Sequence, residues 1–98
     1  MNKPKNTMKV SFPSRGANEG LARMLVAAFI TEADPTVEEL CDIKTAVSEA
    51  VTNCIVHAYP DRIGEIYIAA SLSESNLVTI KVRDHGGCLL YTSPSPRD

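Results

Sequence analysis

Two short stretches carry side chains whose types and spacing could do chemistry. In the first, Ser48-Glu49-Ala50-Val51-Thr52-Asn53-Cys54-Ile55-Val56-His57-Ala58-Tyr59, a carboxylate and a carboxamide stand four residues apart at Glu49 and Asn53. On a helix that spacing places one above the other, with His57 continuing the line. Such a pair suits a base and an oxygen ligand for a hard cation such as Mg²⁺, which takes oxygen donors and keeps several waters. The neighbours Ala46, Thr52 and Val56 are small or apolar, as on a helix wall that lines a pocket. The same pair also occurs on ordinary solvated helices, and this stretch alone leaves both readings standing. His57 is open in the same way, as a phosphate contact or as a residue favoured at a helix C-terminus by the dipole. In the second stretch, Asp84-His85-Gly86-Gly87 follows directly on a strand-like alternation. There the chain can turn sharply and approach a ligand closely, and the carboxylate can accept from an exocyclic amine. Asp-x-Gly after a strand is also the pattern of a simple turn.

The elements that must position these groups follow from periodicity. Leu40, Ile43, Val47, Val51, Cys54 and Ala58 form one apolar stripe at 100° per residue, so the Glu49 stretch belongs to an amphipathic helix whose core face is opposite Glu49 and Asn53. Asp34-Pro35 breaks the chain before it, and Thr36-Val37-Glu38-Glu39 reads as a capping box, so the helix runs from there to about His57. Pro60 stops it, and Gly64 in the following loop permits unusual backbone angles. An earlier helix is expected over 18–32, with Asn18 as its cap and Leu21, Leu25, Ala28 and Phe29 turned to the core. Glu19 and Arg23 lie away from that face at i, i+4, the spacing of a surface ion pair. Strands are expected at 8–12, a short edge, and at 66–72 and 78–82, a hairpin turning at Ser73-Glu74-Ser75-Asn76. The fold class is then α+β, a two-layer sandwich with helices on one face of a mainly antiparallel sheet.

Composition narrows the class of function. The 98 residues suffice for one domain with little core to spare, and 44% hydrophobic with 22% charged residues is ordinary for a soluble globular protein. A formal charge of −2 offers no broad attraction to nucleic acid or to an anionic membrane. No apolar run reaches membrane-spanning length, and Met1-Asn2-Lys3-Pro4-Lys5 lacks the apolar segment of a secretion signal, so a cytoplasmic protein is expected. Cys41, Cys54 and Cys88 form no CxxC pair or disulfide framework, and Cys54, on the apolar stripe, reads as a small buried hydrophobe.

Ser48-Glu49-Ala50-Val51-Thr52-Asn53 on a helix, followed after a hairpin by Arg83-Asp84-His85-Gly86, resembles the N box and first glycine box of the GHKL-type (Bergerat) ATP-binding fold. Within that superfamily the longer run Ser48 to Tyr59, preceded by Ile43-Lys44-Thr45-Ala46-Val47 and by Asp34-Pro35-Thr36-Val37-Glu38-Glu39-Leu40, is similar to the anti-sigma F family of small serine protein kinases in spore-forming bacteria. Residues 8–86 carry the resemblance and would be a partial kinase domain. It implies that Glu49 orients or deprotonates a substrate serine, that Asn53 ligates Mg²⁺ between the ATP phosphates, and that Asp84 accepts from the adenine amino group with Gly86 letting the chain approach the base. Asn18-Glu19-Gly20-Leu21-Ala22-Arg23 also resembles the family's partner-contacting helix, which implies contact of Glu19 and Arg23 with a sigma factor of the sigma F type and with an anti-anti-sigma substrate, in a homodimer built through the first strand and helix. Phosphoryl transfer relies on positioning and charge compensation, so a base, a metal ligand and a nucleotide anchor are the parts it needs.

After Gly86 the pattern departs from the family. In place of a lid and a second glycine box stands Gly87-Cys88-Leu89-Leu90-Tyr91-Thr92-Ser93-Pro94-Ser95-Pro96-Arg97-Asp98, which looks like translated adapter sequence or a disordered tail, so 87–98 is set outside the domain. An incomplete phosphate cradle is expected, and with it an inactive fragment of an active parent kinase. The alternatives are a non-catalytic partner-binding module, or the related serine kinase of a stress-response sigma switch.

Overall fold

The computed structural model describes residues 4–84 and 88–94. Strand β1 is Pro4–Pro13; helix α1, Ala17–Ile30, ends in a 3-10 turn at Thr31–Ala33; helix α2, Val37–Asn53, continues as a π-helical turn over Cys54–Ala58; β2 is Glu65–Ser73, β3 Leu77–Arg83 and β4 Cys88–Pro94. The strands lie in chain order, β1-β2-β3-β4, every neighbour antiparallel. Both helices cover one face of this sheet, the α+β arrangement expected.

The sheet's two faces follow from the period of two. In β2, Ile66, Ile68, Ala70 and Leu72 are buried while Glu65 and Tyr67 are exposed, and in β3 Val78, Ile80 and Val82 are buried. Register aligns these in cross-strand rows, Val10 beside Ile68 beside Val82 and Met8 beside Ala70 beside Ile80. The rows meet Ala22, Val26 and Ile30 of α1 and Ile43, Val47 and Val51 of α2 in one core. Burying a valine or isoleucine side chain contributes about 1.5–3 kcal/mol. The capping box at Thr36 and Glu39 contributes about 1 kcal/mol, so it fixes where α2 begins while the buried stripe decides that α2 forms. Both halves of the box are present: Glu39 N donates to Thr36 Oγ1 at 3.1 Å and Thr36 N donates to Glu39 Oε1 at 2.9 Å.

Four local expectations change. The edge strand β1 is longer than 8–12, because Thr7 and Asn6 continue the ladder opposite Ser71 and Leu72 with an irregularity before Pro4. On α1 the buried row is Ala22, Val26 and Ile30, whereas Leu21 and Ala28 are exposed and Leu25 and Phe29 half-buried. That helix is apolar nearly all round, so periodicity does not single out one face. Asn18 does not cap it: the cap position is Gly16, and Asn18 Nδ2 instead donates to the Pro13 carbonyl at 2.9 Å. Finally, Cys88–Pro94, which the sequence sets outside the domain, runs antiparallel beside β3, with Leu89 opposite Val82 and Tyr91 opposite Ile80. Leu-Leu-Tyr-Thr is strand-forming sequence, and the outer edge of β3 offers a row of backbone donors and acceptors.

The hairpin turns where expected. Asn76 takes the left-handed conformation at φ 65° that Asn tolerates, and Ser73 Oγ accepts from Leu77 N at 2.9 Å to close the turn. No helix among the described residues is long and apolar enough to cross a membrane.

Candidate functional site

The last two turns of α2 present the chemistry. With Ile43, Val47 and Val51 fixed in the core, Glu49 and Asn53 fall on the opposite side and are exposed, together with Thr52. Ser48, Glu49, Thr52 and Asn53 line an open depression of about 370 Å³. A larger concavity of about 440 Å³ lies on the outward face of the sheet, among Lys9, Ser11, Tyr67, Ala69, Lys81 and Arg83, where the Arg83 guanidinium sits 4.9 Å over the Tyr67 ring. Its lining holds no carboxylate or carboxamide, whereas Glu49 and Asn53, the residue types suited to a base and an oxygen ligand, line the smaller one.

Beyond Asn53 the helix widens. Tyr59 N donates to Cys54 O at 3.1 Å, an i→i+5 bond, and Cys54 N is shared between the Ala50 and Val51 carbonyls. The wider turn brings residues five apart to the same side, which is why Cys54 and Tyr59 are both buried, at 4% and 5% exposure. His57 is displaced by the same widening: it is exposed within the π turn and no longer an α-helical continuation of the Glu49–Asn53 line. Tyr59 is held in turn by its hydroxyl, which donates to Glu65 O at 2.9 Å, and by Gly64, where a Cβ would lie within the Tyr59 ring. Gly64 therefore serves by lacking a side chain, and the expectation of unusual backbone angles is not met, since no described glycine has positive φ. Ser14 ties this loop to the end of β1: its N donates to Gly64 O and its Oγ accepts from Gly64 N, each at 2.9 Å.

Asp84 follows β3 directly, and its carboxylate accepts a hydrogen bond from the thiol of Cys54, the residue next to Asn53. The two sequence stretches are thereby joined at one end of the sandwich. Burial first, then the Asp84 charge and this hydrogen bond, push the Cys54 thiol up from 9.0 to about 11. The fold thus disfavours the thiolate, and the unfolded chain ionises first as pH rises. The contribution of Cys54 to stability should be intact below pH 9, decline between 9 and about 11 and then level off. Urea unfolding of wild type and Cys54→Ala over that range tests this, and equal slopes with pH in both would refute it. Gly86 and His85 lie outside the described residues.

Glu19 and Arg23 form the i, i+4 pair the sequence suggests, Arg23 Nη1 to Glu19 Oε2 at 2.8 Å. Unforeseen is that the same Nη1 donates to Ser48 Oγ at 3.2 Å, bracing α1 against α2 one residue before Glu49. Ser48 lies in the sequence motif, yet nothing in its local pattern names a partner 25 residues away.

Among the described residues no cluster of His, Cys, Asp or Glu is placed to hold a metal ion by itself. Exposed oxygen donors at Glu49 and Asn53 beside an open depression nevertheless fit Mg²⁺ in its usual mode, one or two protein oxygens with waters and substrate phosphates completing the shell.

The family model described as histidine kinase-like ATPase domain matches residues 12–95. Among curated proteins, the chain is similar to the anti-sigma F factor of Thermoanaerobacter pseudethanolicus, 56% identical over 81 residues, covering 83% of this chain and 56% of the relative. The anti-sigma F factor of Clostridium kluyveri is 51% identical with the same coverage of 83% and 56%. That of Priestia megaterium is 48% identical over 83 residues, 84% of this chain and 56% of the relative. The chain spans about half the length, 56%, of these relatives.

Proposed function

Because the chain belongs to the histidine kinase-like ATPase domain family, we propose that the whole protein is an anti-sigma factor that holds a sigma factor of the sigma F type and, with ATP, phosphorylates a serine of an anti-anti-sigma partner in the cytoplasm of a sporulating cell. The observation that supports the reading is that Glu49 and Asn53 line one open depression on the exposed side of α2; Asp84, whose charge acts on the thiol of Cys54 next to Asn53, adds a carboxylate near the same end of the helix. Similarity to proteins named anti-sigma F factor supports it further.

In this reading Asp84 accepts from the adenine amino group, and Asn53 offers its amide oxygen to Mg²⁺, which supplies charge compensation at the phosphates. Glu49 orients the partner's serine and takes its proton as the serine oxygen bonds to the γ-phosphorus and the bond to the β–γ bridging oxygen breaks, releasing ADP. The Arg23–Glu19 pair, braced on Ser48, would carry partner contact close to this site. Leu21, Met24 and Ala28, exposed at helical spacing on α1, support a protein contact on that helix, in a homodimer or with the sigma factor.

In the full-length protein, Asn53→Ala and Asp84→Asn are each expected to weaken Mg-ATP binding about tenfold or more, the scale of losing one contact to a charged or ionised partner. Titration calorimetry checks both, and unchanged affinity in both would return these residues to the role of a solvated helix face and a plain turn.

A further inference from the structure

We propose that the outward face of the sheet is a docking site for an acidic segment of a partner protein, held by Lys9, Lys81 and Arg83 around Ala69. Both helices pack on the opposite face, and Lys9, Tyr67, Lys81 and Arg83 are exposed. Register builds the site. Lys9, Ala69 and Lys81 stand side by side in one cross-strand row, and Ser11, Tyr67 and Arg83 in the next. Ala69 is the small residue between two lysines, so its row is hollow at the centre, which gives the concavity of about 440 Å³. Three of the chain's ten Lys and Arg residues thus line one hollow on a molecule of net charge −2. The salt bridges Lys5–Glu32 and Arg23–Glu19 lie elsewhere and involve none of the three. Among the residues of β1, β2 and β3, alternation puts one carboxylate on this face, Glu65, at the start of β2 and outside the lining.

Charge and spacing together select the occupant. Strand spacing sets the main chains of Lys9 and Lys81 about 10 Å apart, and Lys81 and Arg83 are about 7 Å apart along β3. Cations spread in this way match separate carboxylates, two residues or about 7 Å apart on an extended segment, better than one compact anion. Nucleic acid fits less well, because bases need a bare aromatic ring to stack on. The one ring in the lining, Tyr67, carries the Arg83 guanidinium over its face at 4.9 Å from the centroid. That stacking steadies Arg83 and leaves the in-plane N–H groups of the guanidinium to meet a carboxylate. The inference rests on fold and charge alone and is independent of the ATP site; the surface is also separate from the Arg23–Glu19 pair on α1.

The test titrates a hexaglutamate peptide into the chain at low ionic strength and maps binding by amide NMR shifts. Shifts should centre on Lys9, Tyr67, Ala69, Lys81 and Arg83, and affinity should fall as salt is added. The combined variant Lys9→Gln, Lys81→Gln, Arg83→Gln, exposed at all three positions, should fold normally and bind about tenfold or more weakly. A second combined variant, Arg15→Gln, Lys44→Gln, Arg62→Gln, changes net charge equally away from this face and should bind like wild type. Equal loss in both variants, or shifts spread over the whole surface, would reduce the effect to diffuse charge and overturn the proposal. Two further probes address other occupants. Inorganic triphosphate binding at the same residues more tightly than hexaglutamate would make this a compact-anion site, and oligothymidylate doing so would make it a nucleic-acid site; either result overturns the proposal. So does a monomer–dimer equilibrium in sedimentation that the first variant abolishes and the second does not, since the occupant would then be a second copy.

Discussion

Replacing Glu49 by glutamine in the full-length protein is expected to slow phosphoryl transfer to the partner serine by about 10²–10⁴-fold, the contribution of a positioned general base, while leaving Mg-ATP binding nearly unchanged. The split follows from where the residue stands. Glu49 is one helical turn before Asn53 on the exposed side of α2 and lines the same depression, so the substitution removes a proton acceptor without touching the core stripe Ile43, Val47 and Val51. Glutamine keeps the shape and loses the basicity. Single-turnover transfer of labelled phosphate, beside calorimetric nucleotide affinity, separates the two steps. Transfer at the wild-type rate would remove Glu49 from the base role.

Gly64→Ala should cost about 3 kcal/mol or more, a large part of the stability of a domain this size. The added methyl would fall within the ring of Tyr59, which is buried and donates its hydroxyl to Glu65 O. If the ring moves out, its hydrogen bond and its share of the core go with it. If the loop moves instead, both hydrogen bonds between Ser14 and Gly64 are strained. Gly16 is the control: a Cβ there meets nothing within 4 Å and its φ of −55° suits any residue, so Gly16→Ala should change stability by no more than about 1 kcal/mol. Denaturant midpoints of the two variants give the comparison, and a Gly64→Ala midpoint equal to wild type would show that the ring is not wedged as described.

What could be read from the residues depended on how local the cause was. Helix α2 was legible end to end up to Asn53, because its start is written in four consecutive residues, Thr36 to Glu39, and its core stripe Ile43, Val47 and Val51 recurs at helical spacing. Its last turn was not: the π geometry depends on Tyr59 being drawn into the core beside a glycine five residues further on. Helix α1 was legible as a helix but not in orientation, since Leu21, Met24 and Ala28 give it a second apolar side. The inward and outward faces of β2 and β3 followed from simple alternation. At the candidate site residue type and spacing single out Glu49, Asn53 and Asp84 but leave a solvated helix face and a plain turn equally open, and their roles come only as what the family resemblance implies. The contacts that connect them, Cys54 to Asp84 and Arg23 to Ser48, join residues far apart in the chain and leave no trace in local pattern.

The order of the strands also bears on how the chain reaches this fold. β2 and β3 are joined by a tight turn and can pair on the microsecond scale of hairpin formation. β1 waits for β2 across both helices, with Val10 pairing to Ile68 and Phe12 to Ile66, so its docking carries the loop-closure entropy of the whole helical layer. During synthesis, at about 5–20 residues per second, β1 leaves the ribosome seconds before the strand it pairs with. Met8, Val10 and Phe12 therefore pass that interval without their partner strand, their apolar side chains open to other contacts until β2 arrives.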